Sequence, residues 1–180
     1  MPFIYIQPIK TDHGPWIEDL EKCVFSIFGY HTKVGTLNID LEKTFDQTRQ
    51  QYNSSQILLQ IISRPPADAV KVLCVVNVDL FIPILTFVFG EAQLRGIGSV
   101  VSLHRLNNKF YGLSEDRQLL GERLVKEAIH EIGHNFGLIH CSNQSCVMKS
   151  STYVEEVDQK SVEMCNRCQE TLRELMRSAG

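Results

Sequence analysis

Residues 130–140 read His-Glu-Ile-Gly-His-Asn-Phe-Gly-Leu-Ile-His (HEIGHNFGLIH), and the reading of the whole chain turns on them. His130 and His134 are four residues apart, so on a helix their imidazoles leave one face a single turn from each other. An apolar stripe at i, i+4 spacing, Leu120, Leu124, Ala128, Ile132 and Phe136, marks that helix. Each histidine lies two residues past a stripe member, about 200° of rotation at 3.6 residues per turn. The stripe is therefore expected to pack on a core while the imidazoles face a cleft. Gly137, in a left-handed conformation, would end the helix and turn the chain. His140 then comes back toward the first two histidines, where a continued helix would carry it away.

Three neutral imidazoles suit zinc at ~2.0–2.1 Å and leave its fourth tetrahedral position to water, the mark of a catalytic rather than a structural site. Zinc lowers the pKa of such a water to roughly 7 and polarises a carbonyl. Glu131, beside the first ligand, is the candidate general base, taking the proton of that water and passing it to a leaving amine. A chance His-Glu-x-x-His on an exposed helix is the plainer alternative; the following glycine and third histidine, at matching offsets, speak against it. A metal site without catalysis stays open.

Cys141, Cys146, Cys165 and Cys168 form C-x4-C followed by C-x2-C. Two such pairs suit a tetrahedral thiolate zinc in which protein fills every position, a structural site. It would pin the apolar-poor stretch 141–157 to the start of the last helix. A disulfide reading would require an oxidising compartment and a signal peptide. His140 and Cys141 are neighbours, and in extended chain neighbouring side chains point to opposite sides. One stretch of backbone would thus serve two metals, about 10–14 Å apart. Cys23 and Cys74 sit inside apolar segments and read as small core residues.

The bulk properties restrict the function. The chain has 180 residues, 43% of them apolar and 22% charged, with net charge -3, which fits a single globular domain. A slightly acidic chain without a basic run gives no reason to expect nucleic acid or an anionic membrane as partner. The N-terminus, MPFIYIQPIK, lacks the basic region and long apolar stretch of a signal peptide, and the apolar stretch from Leu80 to Phe89 is broken by Pro83. A cytoplasmic monomer is expected, with reduced cysteines.

Strands are expected over Phe3–Ile9, Lys33–Ile39, Val70–Val78, Leu85–Phe89 and Ile97–Leu103. The continuous apolar run of Val70–Val78 predicts a central strand covered on both faces. Helices are expected over Trp16–Phe28, over Asn53–Ser63 with Asn53 or Ser54 as N-cap, from near Ser114 through the histidines, and over Asp158–Arg177. The order predicts an α/β fold, a sheet-bearing part (1–137) and a small helical C-terminal part (138–180) of one catalytic domain. His13, His31 and His104 show no ligand spacing. Glu91 and Arg95 read as solvated loop charges, and Arg49, Arg64 and Arg117 show no pattern.

His130–His140 resembles the metzincin signature, and with Cys141, Cys146, Met148 and the Cys165/Cys168 pair the chain resembles the archaemetzincins. The motif-bearing part covers about a fifth of the chain. The resemblance implies a zinc metallopeptidase acting on peptides or proteins, with a mixed twisted sheet and an edge strand near Leu85–Gln93 that pairs with extended substrate. It implies that Met148 lies beneath the catalytic zinc; from the residues alone, Met148 is a gap-filling core side chain. Some metzincins carry a tyrosine two residues after that methionine. Ser150 stands there in this chain and Tyr153 follows later, which argues against such a role for Tyr153. The function expected is peptide hydrolysis with two zinc ions per chain. An aminopeptidase-like activity, or a catalytically silent two-zinc binding or scaffold protein, remains the alternative; Glu131 favours an enzyme.

Overall fold

The strand β5 (Ala69–Val76, AVKVLCVV) is the centre of the fold, with five consecutive buried residues, Val72 to Val76. Its alternation divides the core into two layers. Leu73 and Val75 point to one cluster, and Val72, Cys74 and Val76 to the other. Both faces are covered, as its uninterrupted apolar run predicts. A computed structural model describes residues 2–11 and 14–178; His13 lies outside them.

Five strands form the main sheet: β1 (Phe3–Pro8), β2 (Thr32–Val34), β5, and further on β7 (Gly90–Ala92) and β8 (Gly98–Ser102). Their order is β2-β1-β5-β8-β7, parallel throughout except for β7, which runs antiparallel to β8 at the edge. A second, small sheet joins β3 (Phe45–Asp46), β4 (Gln51–Asn53) and β6 (Leu80–Phe81). Helix α1 (Trp16–Phe28) and the long helix α3 (Arg117–Phe136) pack on one face of the main sheet, and α2 (Ser54–Ser63) packs on the other. Asn53 caps α2, its side chain accepting from the Gln56 amide. The chain is therefore a mixed α/β protein.

Four elements depart from the sequence reading. The strand expected over Lys33–Ile39 stops at Val34, because its partner β1 ends in Pro8, which has no N–H; the Gln7 side chain takes the Leu37 amide instead. The strand expected over Leu85–Phe89 is a turn that meets β6 in a single bridge, Leu80–Val88. Side chains occupy its carbonyls, Arg49 at Leu85 and Thr86 and Gln51 at Thr86, so pairing along the edge begins only at Gly90. Helix α3 starts at Arg117 rather than near Ser114, since Asp116 accepts from the Leu119 amide as its N-cap. The last helix is divided into α4 (Val154–Gln159) and α5 (Asn166–Ser178). Between them residues 160–165 run beside 145–147, the Ser161 and Val147 amides donating to the Ser145 and Glu163 carbonyls.

Helix α3 is also buried more completely than an amphipathic surface helix. Its face opposite the sheet carries Arg123 and Glu127, both buried. The Arg123 guanidinium grips Asp158 with two bonds of 2.7 Å and reaches the Leu106 carbonyl, which holds α4 against α3.

Gly137 ends α3 at φ +105°, its amide returning to the Gly133 and His134 carbonyls. A Cβ there would also stand 3.0 Å from Arg95 Cγ. Gly137→Ala is therefore expected to lower the unfolding free energy by about 1–2 kcal/mol or more, the cost of left-handed backbone for an L residue. Urea denaturation measures this; an unchanged midpoint would mean that the turn does not depend on glycine.

Candidate metal centres

The three histidines of the sequence motif come together. His130 and His134 leave α3 one turn apart, with Nε2 atoms 3.0 Å from each other. His140 joins them after the Gly137 turn, and one nitrogen from each ring lies within 4.8 Å of the other two. Tetrahedral ligands at ~2.0–2.1 Å from zinc stand about 3.3 Å apart, so this spacing fits a metal.

Backbone carbonyls set the ring orientations. His130 Nδ1 lies 2.8 Å from the Val147 oxygen, and His134 Nδ1 lies 2.7 Å from the Leu138 oxygen. Each carbonyl accepts the Nδ1 proton, which leaves Nε2 with its lone pair toward the cluster. Burial pushes the basicity of His130 well below the ordinary imidazole range and lowers that of His134 and His140 too. Neutral rings are the form that binds metal.

Glu131 is 5% exposed and lies against the edge strand. A Cβ on Gly90 of β7 would stand 2.7 Å from Glu131 Oε1, so only glycine leaves the carboxylate its place. Burial, and then the Glu127 carboxylate, push its pKa well above the usual carboxylate range. A divalent cation at the histidines would draw it down again.

Met148 is fully buried and packs under α3. A Cβ on Gly133, between the two helical histidines, would lie 2.6 Å from Met148 Sδ. The thioether thus occupies the space that Gly133 vacates.

The four cysteines form a second cluster, with their sulfurs within 4.8 Å of one another. Cys141 and Cys165 sulfurs are 3.8 Å apart, and all four thiols are free. Zinc–sulfur bonds of ~2.3 Å in a tetrahedron place sulfurs about 3.75 Å apart, so the set fits zinc. For Cys141, burial favours the thiol, but the Asn143 amide, the Cys168 and Cys165 thiols and the Arg167 guanidinium outweigh it and bring the pKa to about 7. Burial and the shared thiol hydrogen bonds raise Cys168 instead.

Adjacent residues, His140 and Cys141, enter different clusters, as their alternation predicts. Of the two other cysteines, Cys74 is wholly buried, and Cys23 is partly buried. His31 stacks on Phe25, and His104 packs edge-on against Phe110, away from both clusters. Glu91 is no solvated loop charge. It lies in β7 and accepts from the Ser54 and Ser55 hydroxyls at the start of α2, where the helix dipole favours an anion. Arg95 lies beside Gly137, its amide donating to the His134 carbonyl. Tyr153 stands 65% exposed at the start of α4.

Sequence reading missed the buried pair Glu127–Lys160. Glu127 does lie three residues before His130, on the helix face of the ligands; Lys160, from a distant segment, carries no signal of its own.

A mixed sheet with a helix that carries two of three clustered imidazoles, and a buried carboxylate against the edge strand, defines a candidate metal-dependent enzyme. The model of peptidase family M54 matches residues 31–174, and the chain belongs to that family, the archaemetzincins. It is 38% identical over 171 residues to the archaemetzincin of Methanocaldococcus jannaschii, covering 95% of this chain and 93% of that one. The crystal structure of archaemetzincin from Methanopyrus kandleri superposes with a TM-score of 0.85 at 33% identity, covering 98% and 96% of the two chains. That of a zinc-dependent peptidase from Methanocorpusculum labreanum gives 0.81 at 29%, covering 94% and 99%. Among the described residues, no helix is long and apolar enough to cross a membrane.

The Met148–Gly133 contact makes a prediction whose sign opposes helix propensity. Alanine in place of an interior helical glycine ordinarily gains about 0.5–1 kcal/mol. Gly133→Ala is expected to lose stability instead, because its methyl needs the space of Met148 Sδ. Thermal unfolding of Gly133→Ala, alone and with Met148→Ala, measures this; a stabilised single variant would contradict the packing described.

Proposed function

We propose that the chain hydrolyses peptide bonds at a zinc held by His130, His134 and His140, with Glu131 as general base, and that Cys141, Cys146, Cys165 and Cys168 hold a second, structural zinc. The observation that carries this is the convergence of the three imidazoles beside a buried carboxylate on one helix, against the free edge of the sheet.

When bound, zinc supplies the Lewis acid that polarises a carbonyl and makes a water acidic. The chain's own residues supply the rest. The Val147 and Leu138 carbonyls hold the imidazoles as ligands of fixed tautomer. Glu131 accepts the proton of the attacking water and delivers it to the leaving nitrogen, so the step needs no covalent enzyme intermediate. Its burial suits it to hold that proton between the two events. Strand β7, which has no strand on its outer side among the described residues, offers main-chain groups to an extended peptide. Gly137 delivers His140, and Met148, packed against Gly133, would form the apolar floor beneath the zinc that the resemblance to metzincins implies. In this reading residues 1–137 carry the sheet and the active-site helix, and residues 138–180 form a zinc-tied lower part of the same catalytic domain.

Glu131→Gln keeps shape and hydrogen bonding but removes the base. Zinc content at the histidines should be unchanged, and peptide turnover should fall about 10²–10⁴-fold. Assays on a peptide library scored for internal and N-terminal cleavage separate an endopeptidase from an aminopeptidase. Equal inertness of wild type and variant, with the histidine site shown to be full, would favour a binding or scaffold protein.

A further inference from the structure

Among the ion pairs of the described residues, Lys160–Glu127 alone has both side chains almost wholly buried, at 1% and 5% exposure, with Nζ 2.7 Å from Oε1. Apolar replacement of such a pair is often neutral or stabilising, so stability does not explain its presence. Its placement does. Glu127 stands three residues before His130 and four before Glu131, so all three are neighbours on the surface of α3. The Lys160 ammonium also donates to the Lys149 carbonyl at 3.0 Å. That carbonyl follows Met148 directly, and the Met148 carbonyl itself accepts the amide of Cys141.

Lys160 thus fastens three pieces of chain beside the histidines: helix α3, the Met148–Lys149 turn and the end of α4. Its bond to Glu127 holds the ammonium on the side of α3 that carries His130. A bare ammonium in that position would repel a divalent cation, and Glu127 is the carboxylate that compensates it.

We propose that Glu127 and Lys160 are positioning residues of the three-histidine metal centre. Lys160 clamps the Met148 turn to α3, and Glu127 supplies the negative charge that lets a divalent cation bind beside a buried ammonium. The proposal rests on the three histidines holding a metal.

Cobalt(II) is a probe that separates the two centres, since thiolate charge-transfer bands mark the cysteine site and weaker d–d bands the histidine site. Titration of cobalt-loaded protein with a competing chelator then gives the affinity of the histidine site by itself. Glu127→Gln should weaken it about 10–100-fold, the usual effect of losing a residue that supports a metal ligand. Lys160→Met should weaken it less, because it removes the repelling charge together with the clamp. The double variant should bind more tightly than Glu127→Gln. Equal losses in the two single variants with no recovery in the double, or wild-type affinity in all three, would overturn the proposal. If Glu127→Gln does not fold, the other two decide: Lys160→Met at least as tight as the double variant supports it, and a tighter double variant overturns it. Cysteine bands alone in the wild-type chain would overturn the histidine reading itself, and the proposal with it.

Discussion

The hydrogen bond between His130 Nδ1 and the Val147 carbonyl, 2.8 Å long, joins the active-site helix to a stretch of chain that has no regular structure of its own. Val147 can stand there only because the residues around it are held from three sides. The 160–165 segment lies beside it through Ser161 and Glu163, the Cys141 amide takes the carbonyl of Met148, and Cys146 enters the thiolate cluster. Remove the cysteine cluster, and the ribbon that orients His130 loses its anchor. The same cluster holds Cys141, whose neighbour is His140. In the proposed reading both ends of the imidazole arrangement are thus set by a metal that takes no part in the chemistry. That is an economical solution for a C-terminal part too small to build a core of its own.

Burial does the remaining work at the site. Helix α3 lies between the sheet and the 138–164 segment, so Glu127, His130 and Glu131 are all at least 95% removed from solvent. Desolvation keeps the imidazoles neutral and makes Glu131 a weaker acid than an exposed carboxyl. A charge buried this way must be answered by another. Lys160 answers Glu127 and Asp158 answers Arg123, and both answers come from the segment that closes over the helix. The polar pairs therefore tie the C-terminal part to α3 in one arrangement, which the apolar contacts there would leave less specific.

Much of this was legible in the residues. The 3.6-residue stripe from Leu120 to Phe136 and the unbroken run of β5 are local signals of a helix and a covered strand, and the three histidines and four cysteines singled out by their spacing do gather into two groups. What sequence reading lost depends on partners far along the chain. Arg49 shows no pattern, yet it holds the 85–86 carbonyls and turns an expected strand into a loop. Lys33–Ile39 was expected to be a strand, but Pro8 on the neighbouring strand ends the pairing at Val34. Lys160 looks like any surface lysine until the fold places Glu127 opposite it, and the expected last helix is divided where residues 160–165 run beside 145–147.

The assignment of adjacent residues to separate metals is tested most directly by anomalous diffraction at the zinc edge, on crystals of protein purified without chelator. Two separate peaks are expected, one ~2.0–2.1 Å from a nitrogen of His130, His134 and His140, the other ~2.3 Å from the sulfurs of Cys141, Cys146, Cys165 and Cys168. A bridged pair of peaks ~3.5–4 Å apart, or a single peak shared between His140 and Cys141, would contradict it.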